Sequence, residues 1–248
     1  MSRWKAAAIH CCISFAVVFA IGTLMAVVWY PPLLAWAGGQ TGILGILYCV
    51  DIVVGPLLTL LVFKTGKPSL KFDLTVIAVL QVLGLAYGMY VMFQARPVYL
   101  VFAVDSFHLV TAVDIPLENL EKASHSPYWA LPLGGPETVA VRMPKDTTER
   151  LNLTLKAISG GADVQQYPEY YMPYAQASAD VLKRALPLNK LMDRDEATRA
   201  KLAGWLAAQK REASAVKYVP LYAKTHDLSV LVDGATAKIL DTLAIDPS

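Results

Sequence analysis

Apolar positions run almost unbroken through three stretches, about 9–29, 42–63 and 74–93, and after residue 96 give way to short alternating segments. A helix needs roughly 20 apolar residues to cross a bilayer, so the pattern predicts three transmembrane helices within a domain of residues 1–95. Trp29, Tyr30 and Trp36 follow the first stretch, where an interfacial aromatic belt belongs. Residues 96–248 predict an α+β domain. The runs 98–104 and 107–113 read as a hairpin with its turn at Asp105-Ser106. A helix follows, capped by Asp146 or Thr147, with Leu151, Leu155 and Ile158 as its core face and Gly160-Gly161 as its stop. Two more helices are predicted at about 174–185, ending before Pro187, and about 196–212, with Leu202, Trp205 and Leu206 inward and Arg199, Lys210 and Arg211 in solvent. Val216, Tyr218 and Tyr222 then alternate as in a strand, and Asp233-Gly234 predicts a tight hairpin. Strands, then helices, then strands give the α+β class.

Charge divides the chain in the same way. Residues 1–96 hold six Lys/Arg and two Asp/Glu, and the remainder holds sixteen and eighteen. Mean hydropathy is +0.43, high for a soluble protein. A net charge of +2 gives no case for nucleic acid as a partner. Arg3 and Lys5 at the N-terminus and Lys64, Lys67 and Lys71 in the second short loop place those segments in the cytoplasm, against an uncharged loop between the first two spans. Arg96 alone runs against that bias. The third span then exits outward and the α+β domain is exported. The first apolar stretch is longer than the core of a signal peptide, although Ala35 and Ala37 offer small residues for cleavage. The segment "TGKPS" lacks the glycine of a phosphate-binding loop, Leu61 standing in its place, so its lysines read as topology anchors.

One position resists this reading. Asp51 lies near the middle of the second span, where a carboxylate costs several kcal/mol unless protonated, paired or near water. Five residues on, Pro56 frees a backbone carbonyl one turn earlier, near Ile52. A catalytic pair with Asp73 fails on distance. Asp73 sits at the cytoplasmic end of the third span, roughly 18 Å from the depth of Asp51 along the helix axis, and a dyad needs a few ångströms. Gln81 and the G-x-x-x-G pair Gly84 and Gly88 fall at about the depth of Asp51. Asp51 is therefore expected to bond Gln81, Tyr48 or Tyr87 within the chain, or a group on a partner helix. Elsewhere no catalytic constellation is present, and no cofactor or metal site is expected. His10, His108, His125 and His226 are scattered and read as satisfied or surface residues. Cys11, Cys12 and Cys49 read as inert thiols in apolar runs, and no flanking signal argues for lipidation.

The stretch "QQYPEYYMPYAQ" gathers Tyr167, Tyr170, Tyr171 and Tyr174. Stiff amphipathic aromatics suit a binding surface, and they suit equally a lid packed on the core.

The segments "RWKAAAIH", "VDIVVGPLLTLLVF", "GKPSLKFDLTVIAVLQ", "LAYGMY", "RPVYLVF" and "DGATAKIL" together resemble the TfpX/TfpZ family of type IV pilin accessory proteins, most densely over residues 3–115. The resemblance implies a bacterial inner-membrane protein, not an enzyme, that assists assembly of one type IV major pilin in a chaperone-like way. It carries no catalytic residues. An unassembled pilin has one membrane helix and a periplasmic head, and a partner with three spans and a periplasmic domain offers a surface to each. On this reading Asp51, Gln81, Gly84 and Gly88 face the pilin helix, and the four tyrosines face its head. The alternative is a membrane-anchored periplasmic ligand-binding or sensor protein, against which stands a cytoplasmic loop of about ten residues with no output domain.

Overall fold

The computed structural model describes residues 1–248, which divide into two compact units. The first comprises Met1–Pro32 with Gly39–Arg96, and the second comprises Leu33–Gly38 with Pro97–Ser248.

The first unit holds three helices long and apolar enough to cross a membrane, Arg3–Val28, Gln40–Val62 and Leu70–Gln94. They are α1 (Arg3–Val28), a second helix built from α3 (Gln40–Cys49), a π segment (Val50–Val54) and α4 (Gly55–Val62), and α5 (Leu70–Gln94). Both α1 and α5 pack on the second helix. The few buried positions are mostly small or polar: Ala6, Ser14, Gly22, Gly55 and Thr59 among them. The large apolar side chains point outward, as with Phe19, Leu61, Val82 and Leu83. Helices apolar all round, with their largest side chains outside, match a lipid environment. At one end Thr65 Oγ1 donates to the Met1 carbonyl at 2.9 Å, so the N-terminus and the lysine-bearing loop lie together. Lys67 pairs with Asp73 there at 2.6 Å. At the other end the Tyr30 hydroxyl donates to the Met92 carbonyl. Arg96 is buried, donating to the Phe93 carbonyl at 2.7 Å with its guanidinium 3.8 Å over the Phe93 ring. This explains how the one cation against the charge bias is held: it caps the end of α5.

The second unit is an eight-stranded mixed sheet with helices. Its elements are α2 (Pro32–Ala37), β1 (Pro97–Ala103), β2 (Ser106–Thr111), α6 (Leu117–Lys122), β3 (Glu137–Val141), α7 (Thr147–Ile158), β4 (Tyr171–Pro173), α8 (Ser178–Arg184), β5 (Leu186–Pro187), α9 (Leu188–Met192), α10 (Glu196–Gln209), β6 (Val216–Tyr222), β7 (Leu228–Asp233) and β8 (Ile239–Leu243). Strand order is β4-β3-β1-β2-β6-β7-β8, with β5 also on β6. The β1/β3 and β2/β6 pairs are parallel and the rest antiparallel. Strands from both ends of the domain thus share one sheet, in keeping with the α+β class. Pro220, with no N–H to give, falls between the β6 residues that pair with β5 and those that pair with β2. Phe102, Phe107, Val219 and Val230 bury one face, and Val98, Val101, Tyr99 and Tyr171 the other.

Several local expectations are corrected. Ala103 pairs with Ser106, so the first hairpin turns on Val104-Asp105, with Val104 at φ 60°, rather than on Asp105-Ser106. The second hairpin is wider than Asp233-Gly234 implies. The Asp233 carboxylate accepts from the Ala235 and Thr236 amides and the Thr236 hydroxyl, and the positive φ falls on Ala237. Gly234 instead donates to the Ala215 carbonyl at 2.8 Å, an approach that a Cβ would crowd. Arg211 is not in solvent alone but pairs with Asp233 at 2.9 Å. Helix α10 buries Leu202 and Leu206 of its predicted core face, while Trp205 is partly buried and its Nε1 donates to Asp241 at 2.7 Å. Helix α7 is capped by Asp146 as expected, yet its core residue is Leu153, while Leu151, Leu155 and Ile158 are exposed. The sheet takes up the side carrying Leu153, and Tyr170 bonds Glu149 on the adjoining side, so the apolar stripe faces out.

Candidate functional site

The middle of the first unit carries a polar cluster drawn from all three long helices. His10 on α1 sits 2.6 Å through Nδ1 from Thr59 Oγ1 on α4, and 2.6 Å through Nε2 from Gln81 Oε1 on α5. Gln81 Nε2 donates to the Asp51 backbone carbonyl at 3.2 Å. An amide oxygen can only accept, so Nε2 of His10 donates to Gln81, while Nδ1 shares a hydrogen bond with the Thr59 hydroxyl. Each member is thereby satisfied, and each bond crosses between helices.

The π segment explains why Gln81 has a carbonyl to meet. In its i→i+5 pattern the Asp51 carbonyl faces residue 56, which is Pro56 and has no N–H. The Asp51 carbonyl, next to Ile52 where a freed carbonyl is expected, is the one that Gln81 meets. Gly55 lets Gln81 come close, because a Cβ there would occupy the space of its amide group. Gly22 does the same for the Tyr48 hydroxyl.

The Asp51 side chain takes no part in this. It is 5% exposed, and its Oδ2 is buried with no hydrogen-bond partner. The expected bond from its carboxylate to Gln81, Tyr48 or Tyr87 is absent: Gln81 is turned to the backbone, Tyr48 lies over Gly22, and Tyr87 is exposed. The expected glycine face also divides. Gly88 packs against Leu47 inside the bundle, whereas Gly84 faces open space. The structure thus brings Asp51 and Gln81 together and leaves Gly84 apart from them.

In the second unit the four tyrosines line a segment tied down at many points. Tyr167 and Tyr171 are buried. The Tyr171 ring meets those of Tyr99 and Tyr128 edge-on, at 5.0 and 5.8 Å. Its hydroxyl is bonded to the Gln165 carbonyl, and burial holds the phenol well above its usual pKa. Tyr170 and Tyr174 are half-buried, and their hydroxyls donate to Glu149 at 2.6 Å and to the Ala237 carbonyl at 2.7 Å. Burial pushes the Tyr174 phenol up to about 12. Tyr170, Tyr171 and Tyr174, raised chiefly by burial, stay neutral hydrogen-bond donors at physiological pH.

A second contact in this unit lay beyond the sequence reading. The segment Leu33–Gly38, which links the first two long helices, docks on the sheet unit. The Trp36 ring stacks on His226 at 4.0 Å, and the Ala37 carbonyl accepts from the Thr225 and His226 amides at 2.9 and 3.1 Å. His10 and Thr59 were missed as site residues. His10 was legible as an ionisable group inside an apolar run, and Thr59 as the hydroxyl two turns beyond Asp51.

Comparison with known proteins supplies kinship. The chain is 32% identical over 186 residues to a fimbrial assembly protein of serogroup E1 from Dichelobacter nodosus, covering 74% of this chain and 72% of the relative. It is 30% identical, with the same coverage, to the fimbrial assembly protein of serogroup I from that organism. A third relative, of serogroups C1 and C2, is 31% identical over 121 residues, which are 48% of this chain and 92% of the relative. No family model matches, and no solved structure is detectably similar.

Proposed function

Because the chain belongs to the family of fimbrial assembly proteins, we propose that it is an inner-membrane accessory factor of the TfpX/TfpZ type, which binds one type IV pilin before that pilin enters the fibre. The observation that carries this reading is the kinship over 74% of the chain, a span too long to lie within either unit's share of the sequence alone. The architecture supports it. Three lipid-suited helices present a surface to a membrane helix, and a sheet domain presents one to a soluble head.

The helices cross the inner membrane with the five cations Arg3, Lys5, Lys64, Lys67 and Lys71 on the cytoplasmic side and the sheet domain in the periplasm. The joint placement of the N-terminus and the lysine loop supports this, as does the docking of Leu33–Gly38 on the sheet unit. The pilin's single membrane helix packs against the bundle, and Gly84, lipid-facing and open, is a point where another backbone can come close. The pilin head meets the sheet domain at the half-exposed edges of Tyr170 and Tyr174, with Tyr167 and Tyr171 fixing the backbone beneath. Two weak contacts on one pair of molecules reinforce each other through effective concentration.

Deleting the gene tests the role. Cells are expected to keep making the pilin and to lose surface fibres, and the full-length chain supplied in trans restores them. Fibres of normal number on the deletion strain would refute the reading.

A further inference from the structure

We propose that Asp51 is a docking point for the pilin's membrane helix, which inserts an uncharged hydrogen-bond donor, a side-chain hydroxyl or amide, to meet its carboxyl. The inference rests on the reading above and adds the chemistry of recognition.

His10, Thr59 and Gln81 each have their partners within the chain. His10 uses both ring nitrogens and Gln81 uses both ends of its amide. Asp51 Oδ2 has none, although it is buried. A buried acceptor without a donor is costly, and in hydrocarbon no water offsets the cost. Asp51 also borders a space. A cavity of about 180 Å³ lies between α1 and α5 and is lined by His10, Ser14, Asp51, Ala78 and Gln81, with apolar side chains around them. Ile13, Val17 and Val82 stand at its mouth, all of them exposed on the outer surface of the bundle.

The dimensions select the occupant. The cavity takes one side chain and not a helix. Its walls are mostly apolar and its polar groups few, so the side chain has an apolar stem and a polar tip. Asp51 lies eleven residues from either end of the helix Gln40–Val62, roughly 16 Å of rise, beyond the reach of lipid headgroups and solution ions. A cation carried to that depth by a single helix would bear the cost of its own desolvation, which favours a neutral donor. A neighbouring membrane helix is the structure able to bring one there.

Photo-crosslinkers placed at Val17 and Val82 of the full chain in native membranes test this, with Leu61, exposed and outside the cavity lining, as control. The expected result is capture of the pilin from Val17 and Val82 and not from Leu61. Asp51→Leu reduces capture by roughly 3- to 20-fold, the worth of one interhelical hydrogen bond in a membrane. Asp51→Asn, which keeps an acceptor oxygen, retains it. Should Asp51→Leu fail to accumulate, Ala78→Leu fills the cavity from an exposed position and is expected to give the same loss. Capture unaffected by Asp51→Leu or Ala78→Leu overturns the proposal. So does loss with Asp51→Asn as great as with Asp51→Leu, or capture of a second copy of this chain instead. A pilin that still co-purifies but is not captured at the groove overturns the docking point and leaves the function standing. A pilin that does not co-purify at all removes both.

Discussion

Gln81 holds three helices with one amide. Its oxygen meets His10 of α1, its nitrogen meets the Asp51 carbonyl of the second helix, and its stem belongs to α5. The position works because Gly55 has no side chain. Gly55→Ala is therefore expected to break both bonds and to cost about 1 kcal/mol, at roughly 0.6 kcal/mol for an average interhelical bond in a membrane. Gly84→Ala, facing open space, is expected to change stability by less than about 0.5 kcal/mol. Unfolding of the two variants in detergent micelles separates them, and equal losses would contradict the assignment. A second residue-scale prediction concerns Asp233. The Arg211 guanidinium, the Thr236 hydroxyl and two backbone amides hold its carboxyl down to about 2. A lowered folded-state pKa means that its contribution is complete above the ordinary carboxylate range and is lost as pH falls from about 4 through about 2. Asp233→Asn is expected to flatten the melting temperature of the sheet domain against pH across that window. An unchanged slope would show that the loop is not held by the charge. The presence of a polar centre in the bundle was legible in the sequence from Asp51 and Gln81. Its wiring was not, because the bonds join side chains and a backbone carbonyl of three helices, and the α-helical period gives no sign of the π segment beside them.

Among the elements, α7 shows where pattern reading fails. Its start and stop follow from Asp146 and Gly160, and both are local chemistry. Its orientation is a tertiary matter, and the periodic stripe of Leu151, Leu155 and Ile158 faces away from the core that Leu153 enters. Leu153→Ala is expected to cost about 2–4 kcal/mol as a buried truncation, and Leu155→Ser less than about 0.5 kcal/mol. Chemical denaturation of the two variants checks the pair, and the reverse order would restore the periodic reading. The same distinction holds for the hairpins. Alternation located β1, β2 and β7, whereas the turns shifted, because Val104 takes the positive φ of the first and the Asp233 carboxylate reorganises the second. The tyrosine segment also depended on context. Its composition allowed a surface or a lid, and the ring contacts of Tyr171 with Tyr99 and Tyr128 involve residues far away in sequence.

For the whole molecule, hydropathy and charge were enough to divide the chain into an apolar part and a sheet domain, since bilayer length and ordinary core burial impose different compositions. They assigned the link between the first two helices to the membrane part. Instead Leu33–Gly38 belongs to the sheet unit through the Trp36–His226 stack and the Ala37 carbonyl, contacts between residues about 190 apart in a chain whose local pattern records neither. In the proposed role the whole chain holds a pilin by membrane helix and head together. The most direct measurement is affinity purification of the full-length chain from membranes of cells that make the pilin but are blocked in fibre assembly. The account predicts that the pilin co-purifies in fixed ratio and that a pilin carrying only its membrane helix is retained more weakly. Recovery of the chain without pilin, at normal pilin levels, would contradict it.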